Sequence, residues 1–287
     1  MIIFVPKVGE EVNVFTRIFE NIENQHPLVH CITNYVTVND VANVLLACGA
    51  SPIMADDVKE VEEITSICTA LNINIGTLNS RTIDSMLKAG IKAKELSHTI
   101  VLDPVGAGAS EFRTKTTFDL LENIKFSVIR GNISEIKTVD IGSGTTQGVD
   151  ASVSDAVTES NLDEVVAFAK RLSQRIGAII TITGAIDIVT NCEKAYIIRN
   201  GHPSMSKVTG TGCMLSAMIA AFVGANQEES LLAAAAAVCT MGLAGELAYK
   251  RVVEEDKGSS TLRSYIIDEI SKMTAEKLKD GAKIDIK

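Results

Sequence analysis

Between residues 28 and 200 the chain alternates short runs of Val, Ile and Leu with longer stretches whose apolar residues recur three or four positions apart. That alternation marks successive β–α units and restricts the chain to an α/β architecture built on a mostly parallel central sheet. The strand candidates are "LVHCIT" (28–33), "SPIMA" (51–55), "LNINIG" (71–76), "HTIVLD" (98–103), "FSVIRG" (126–131) and "AIITIT" (178–183). "IDIVT" (186–190) and "KAYIIRN" (194–200) follow close together and read as a hairpin at a sheet edge. Helices are expected over 37–48, 57–70, 80–96, 114–124 and 161–176, with Gly49, Gly90 and Gly177 where helices should stop. After residue 210 the pattern becomes helix upon helix, at 211–225, 228–249 and 260–278, while "DIGSGTTQGVDASVSD" (140–155) reads as a mobile surface loop.

A chain of 287 residues is longer than a typical domain of ~100–200, but α/β folds reach ~250 as one unit, so 1–287 reads as a single domain. The net charge of −9, with no clustered Lys/Arg run, excludes nucleic acid as a natural partner. Six scattered cysteines, without metal-ligand spacing, fit a reducing cytoplasmic setting in which most are small buried hydrophobes. The opening "MIIFVPKVGEEV" lacks the basic and apolar segments of an export signal. The alanine-rich stretch 231–245 falls short of the ~20 residues of a membrane span and reads as a buried helix.

In open parallel sheets ligands sit beyond the carboxyl ends of the strands, so the residues just after each strand carry the functional reading. "DPVGAGAS" places Asp103 at a strand end with Gly106 and Gly108 behind it, suited either to a magnesium-bound phosphate or to capping a turn. "RGNISEI" gathers Arg130, Asn132 and Glu135 within six residues, as a capping box, a magnesium-handling carboxylate, or both. Thr183 and Gly184 end another strand and could meet a nucleotide phosphate or simply turn the chain. In "KVTGTGCMLSAMIAAF", Gly210, Thr211, Gly212 and Cys213 precede an apolar helical run, so their N–H groups form an anion cradle at a helix N-terminus. Cys213 at that positive end is expected to titrate below its free value of ~8.5 and could act as a base; the alternative is a helix-packing glycine pair with an inert thiol. The cradle is neither GxxxxGK[ST] nor GxGxxG, which argues against a P-loop enzyme and against an NAD-dependent oxidoreductase.

"DPVGAGA", "IRGNISEI", "ITG" and "KVTGTGC", in that order and preceded by "HPLVHCITNYVTVNDVANVLLACGASPIMADD" at 26–57, resemble the hydroxyethylthiazole kinases of the ribokinase-like superfamily. The resemblance runs from about His26 to Gly245. It implies ATP-dependent phosphorylation of the side-chain hydroxyl of a methyl-hydroxyethylthiazole in thiamine salvage. It also implies a mostly parallel sheet between helical layers without a lid domain, and a homotrimer with active sites at subunit interfaces. By the same resemblance Met54 and Gly210 contact the thiazole, Arg130 and Thr183 contact ATP, Asp103 and Glu135 manage Mg2+, and Cys213 occupies the base position. The wider superfamily carries Asp where this chain has Cys213, and cysteine there is typical of thiazole kinases. A pyrimidine or sugar alcohol kinase would predict Asp at 213 and an inserted lid. A silent nucleotide-binding regulator would keep the cradle without turnover. Asn34 and His30 lie close enough in the sequence to add polar contacts, although His30 after "PLV" also reads as a satisfied strand histidine.

Overall fold

The structure, a computed structural model, describes residues 14–142 and 156–287. Nine strands form one sheet in the order β2-β1-β3-β4-β5-β6-β7-β8-β9. They are β1 (Leu28–Ile32), β2 (Ser51–Met54), β3 (Ala70–Asn74), β4 (Thr99–Asp103), β5 (Val128–Gly131), β6 (Ile179–Ile182), β7 (Asp187–Thr190), β8 (Ala195–Ile198) and β9 (Ile284–Ile286). The first six pair in parallel, and β7, β8 and β9 extend the sheet antiparallel. All eight expected strands are present. The hairpin β7–β8 does not lie at the edge, because β9 pairs with β8 from far along the chain.

The helices are α1 (Thr16–Gln25), α2 (Val38–Ala47), α3 (Val61–Ile67), α4 (Ser80–Glu95), α5 (Glu111–Asn123), α6 (Ile133–Gly142), α7 (Leu162–Ile176), α8 (Thr211–Ala225), α9 (Ser230–Glu254), α10 (Ser259–Ser271) and α11 (Ala275–Gly281). Successive strand residues point to opposite faces and feed two separate cores. Val101, Val128 and Val189 pack with α1, α2, α8, α9 and α10. Ile100, Leu102, Ile129 and Ile188 pack on the other face with residues of α4 to α7. The result is a sheet between helical layers, with every named strand of the described residues in that one sheet.

Several expectations need correction. α1 was not anticipated, the stretch 260–278 divides into α10 and α11, and 57–70 yields only the short α3 because Ala70 already belongs to β3. Gly49 and Gly177 do end helices in left-handed geometry (φ 87° and 75°), but Gly90 lies inside α4, where a Cβ would strike Ile124. Of the loop expected at 140–155, residues 140–142 belong to α6 and the rest lies outside the described residues. The alanine-rich segment is part of α9, at 25 residues long enough to cross a bilayer. Its burial against α8, α10 and the sheet, rather than shortness, makes it a core helix here.

Candidate active site

The strand order 2-1-3-4-5 reverses direction at β1, so the crevice between the carboxyl ends of β1 and β3 is a topological switch point. Asn34 follows β1 and Asn74 ends β3 at this point. The thread of side-chain bonds begins at Thr37, whose hydroxyl donates to Asn34 Oδ1 (3.0 Å). Asn34 Nδ2 donates to Asn74 Oδ1 (3.0 Å) and to Cys213 Sγ (3.2 Å). Asn74 Nδ2 in turn donates to Asp103 Oδ2 (2.8 Å), which also accepts from Ser216 Oγ (2.7 Å) and from Arg130 (3.5 Å).

Asp103 ends β4 fully buried. Burial pushes its carboxyl above the usual carboxylate range and Glu135 adds to this, against the opposing pull of Arg130, Ser216 and Asn74. Its Oδ1 is buried and has no hydrogen-bond partner among the described residues. A carboxylate with one oxygen saturated and the other bare is unfinished chemistry, since a buried acceptor without a donor costs ~1–3 kcal/mol.

Arg130, the penultimate residue of β5, links the ends of its two neighbours in the sheet, β4 and β6. It donates to Thr183 Oγ1 (2.6 Å) just beyond β6 and reaches Asp103 at 3.5 Å, with its side chain only 13% exposed. Glu135, in the first turn of α6, accepts from Asn132 N (2.8 Å) while Asn132 Oδ1 accepts from Glu135 N (2.9 Å), which is the reciprocal capping box. The other Glu135 oxygen accepts from Gly106 N (2.8 Å), fastening the loop after β4. Arg113 of α5 donates to Val105 O (2.8 Å) and to Gly76 O, tying that loop to the one after β3.

The N-terminus of α8 closes the site from above. Gly210 caps it at φ 89°, where a side chain would meet Thr37 Cγ2 at 2.5 Å. A side chain on Gly212 would meet Arg130 Nη1 at 2.5 Å. The glycines therefore serve close approach as well as the turn, and among the described residues no side chain caps the first-turn N–H groups of Thr211, Gly212 and Cys213. The expected low pKa of Cys213 does not hold: burial first and the charge of Asp103 second push the thiol up, and the hydrogen bond from Asn34 only partly offsets them.

Magnesium is usually held by one or two carboxylates, waters and substrate phosphates rather than by an all-protein cage. No group of three or more His, Cys, Asp or Glu side chains suited to a metal occurs among the described residues. The bare Oδ1 of Asp103 and the carboxylate of Glu135 nevertheless fit a phosphate-borne ion, with Glu135 acting through water because backbone donors already occupy both its oxygens.

Beyond Thr183 and Gly212 a cavity of about 580 Å³ opens towards the antiparallel strands, lined by Asp187 of β7 and by apolar Pro203, Met205, Leu215, Val238 and Met241. Desolvation pushes the Asp187 carboxyl up to about 7, with Gly184 N–H and Arg130 opposing. A slightly larger cavity, about 620 Å³, lies at the opposite end of α8 among Arg17, Cys68, Ser97 and Asn226 and contains none of these groups.

Of the residues singled out in the sequence, Asp103, Arg130, Glu135, Thr183 and 210–213 come together. Met54 ends the edge strand β2, beside β1, and is 36% exposed. His30 is fully buried, bonded to Thr65 Oγ1 (2.9 Å) and Ala55 O (2.8 Å), so it holds the end of β2 and does not enter the cluster. Asn74, Ser216, Thr37, Arg113 and Asp187 were not anticipated. A polar residue inside the apolar run "LNINIG" was the available sign for Asn74; Asp187 carried none.

The hydroxyethylthiazole kinase family profile matches residues 19–276. A hydroxyethylthiazole kinase of Clostridium acetobutylicum is 60% identical over 266 residues, covering 93% of this chain and 97% of the relative. One from Clostridium beijerinckii is 50% identical over 267 residues, covering 93% and 95%. Among solved structures, hydroxyethylthiazole kinase from Pyrococcus horikoshii OT3 superposes with TM-score 0.84 at 34% identity, covering 95% of this chain and 98% of that one. A Staphylococcus aureus pyridoxal kinase in complex with ADP, at 14% identity and TM-score 0.52, covers 75% and 87% and shares the ribokinase-like fold alone.

Proposed function

The chain belongs to the hydroxyethylthiazole kinase family, and from that membership we propose how its site divides the work of the reaction. The enzyme is a kinase of thiamine salvage that phosphorylates the hydroxyl of 4-methyl-5-(2-hydroxyethyl)thiazole with ATP as co-substrate. The whole chain, 1–287, works as one kinase unit in a cytoplasmic setting.

The transferred phosphoryl group is received by the open N–H groups of Thr211, Gly212 and Cys213, which face developing charge without reorganising. Arg130, aimed by Thr183 and Asp103, holds the phosphates of ATP from the other side. Asp103 through Oδ1, and Glu135 through water, would hold Mg2+, which would supply positive charge to neutralise the phosphates. The thiazole alcohol lies on the β1–β3 side between Met54 and Gly210, with its hydroxyl directed at Cys213. Because the thiol is pushed up, Cys213 is neutral at pH 7 and its sulfur orients the hydroxyl through its lone pairs. The hydroxyl proton passes to an oxygen of the newly transferred phosphoryl group once the O–P bond has formed, as suits a loose transition state that needs little base. Exposed Tyr35, Val36 and Met54 beside the acceptor side are apolar surface that a neighbouring subunit of a homotrimer would cover.

The observation that carries these roles is the convergence of a bare carboxylate oxygen, an aimed guanidinium and an uncapped helix terminus around one thiol. The test is ADP release with magnesium-ATP and hydroxyethyl-methylthiazole, hydroxymethylpyrimidine or no acceptor. Release that depends on the thiazole supports the reading. Release with the pyrimidine alone would overturn the acceptor, and silence from folded protein would overturn the reaction.

A further inference from the structure

Asp187 opens β7 three residues beyond Gly184 and lines the cavity that runs from Arg130 to the apolar wall of Leu215, Val238 and Met241. One of its oxygens accepts from Gly184 N at 2.8 Å. Its second oxygen has no hydrogen-bond partner among the described residues, and that oxygen is the acceptor left to the cavity. Arg130 is close enough to pull on its charge, but the guanidinium hydrogen bonds go to Thr183 and Asp103. A half-buried carboxylate oxygen without a donor is completed best by a hydroxyl or an amine of whatever occupies the cavity. The cavity favours an occupant that is anionic where it meets Arg130, Thr211 and Gly212, and largely apolar where it meets Met205 and Met241.

We propose that Asp187 is a specificity-determining residue that accepts a hydrogen bond from a sugar hydroxyl of the bound nucleoside triphosphate, making the enzyme select ribonucleotides over deoxyribonucleotides. This rests on the reading above that Arg130 holds the phosphates of ATP, which puts the nucleoside in the cavity that Arg130 and Thr183 line. The sugar is favoured over the base because Asp187 lies within reach of the phosphate-binding Arg130, and the sugar is the part of a nucleotide next to its phosphates.

Asp187→Asn tests it with little change of shape. Its amide oxygen can go on accepting from Gly184 N, while an NH2 donor replaces the acceptor in the cavity. Binding of ATP, 2′-deoxyATP, 3′-deoxyATP and the purine riboside triphosphate without the 6-amino group is measured calorimetrically at pH 8.5, for parent and variant, with thermal melts as the folding control. The parent is expected to bind ATP about tenfold more tightly than at least one deoxy analogue, and the variant to lose about tenfold for ATP and bring the deoxy analogue within about twofold of it. Unchanged ATP affinity in the variant, a deoxy penalty that persists, or a penalty that follows the amino group instead overturns the sugar assignment while leaving the nucleotide reading intact. A folded parent that binds none of the four overturns the nucleotide reading and Asp187 with it.

Discussion

Replacing Asp103 by Asn should make the protein more stable and far less active. Asp103 Oδ2 is held by Asn74 at 2.8 Å, Ser216 at 2.7 Å and Arg130 at 3.5 Å. An asparagine can set its oxygen in that place and keep all three bonds, so the change falls on the charge and on the bare Oδ1 side. There it removes one preorganised electrostatic group from a largely dry site, a loss of ~2.7–4 kcal/mol of transition-state stabilisation, or ~10²–10³ in kcat. The stability term has the opposite sign. The carboxyl is raised because burial outweighs the Arg130 attraction, so the folded state binds its proton more tightly than the unfolded chain. Its contribution is favourable at low pH and is lost as pH rises through the raised value, which leaves the ionised form costly at neutral pH. The neutral amide removes that cost, and Arg130 is not stranded because Thr183 still holds it at 2.6 Å. For a chain of this size each kcal/mol moves Tm by ~2–4 °C. The assay pairs steady-state ADP release, over a magnesium titration, with thermal melts at pH 7.5. A folded variant with kcat within about threefold of the parent, or one that melts below it, would refute the reasoning.

Cys213, raised by burial and by Asp103, should be alkylated by iodoacetamide at a rate that still climbs above pH 9, read by peptide mass mapping to separate it from exposed Cys192; a plateau near pH 7 would restore the activated thiolate. Cys213→Ser should lose less than about tenfold in kcat with ATP affinity unchanged, and Cys213→Asp should stay active; a folded but inactive Asp variant would show that the cysteine shapes the pocket. Gly210→Ala meets both a φ of 89° and Thr37 at 2.5 Å and should cost ~1–3 kcal/mol in denaturant unfolding, whereas Gly177→Ala, at φ 75° with only Lys125 at 3.9 Å, should lose about 1. Asp187, pushed up to about 7 by desolvation, stabilises the fold below the ordinary carboxylate range and forfeits this as pH rises through 7. The Tm of Asp187→Asn relative to the parent should therefore climb between pH 4 and 8; a flat difference would show the carboxyl to be unperturbed.

The parallel half of the fold was legible because each strand there is a local apolar run followed by its own helix. β9 was not, since "IDI" lies among lysines and becomes a strand only by pairing with β8, more than eighty positions earlier in the chain. α1 left a signal in Ile18 and Ile22, four apart and both buried. The cluster of Asp103, Arg130, Glu135, Thr183 and Gly210–Cys213 could be gathered from sequence because each lies at a strand end or a helix start, and the fold brings those ends together. The titration of Cys213 could not be read the same way. Its helix terminus is visible in the sequence, but the buried carboxylate that opposes it arrives from β4. Asn74 and Ser216 were overlooked for a related reason: each looks like an ordinary residue of its element until Asp103 is seen between them.

α8 and α9 pack against each other in a core rich in residues already at their smallest, among them Ala217, Ala220 and Ala221 of α8 and Ala233–Ala237 and Ala244 of α9. Such a seam has almost nothing to lose by truncation and little room for growth, so its mutational tolerance is lopsided: glycine should be absorbed at modest cost, and valine or leucine should wedge the helices apart. Because the N-terminus of α8 carries the 210–213 amides, a wedge far down this seam would alter catalysis by moving a backbone, with no catalytic side chain touched.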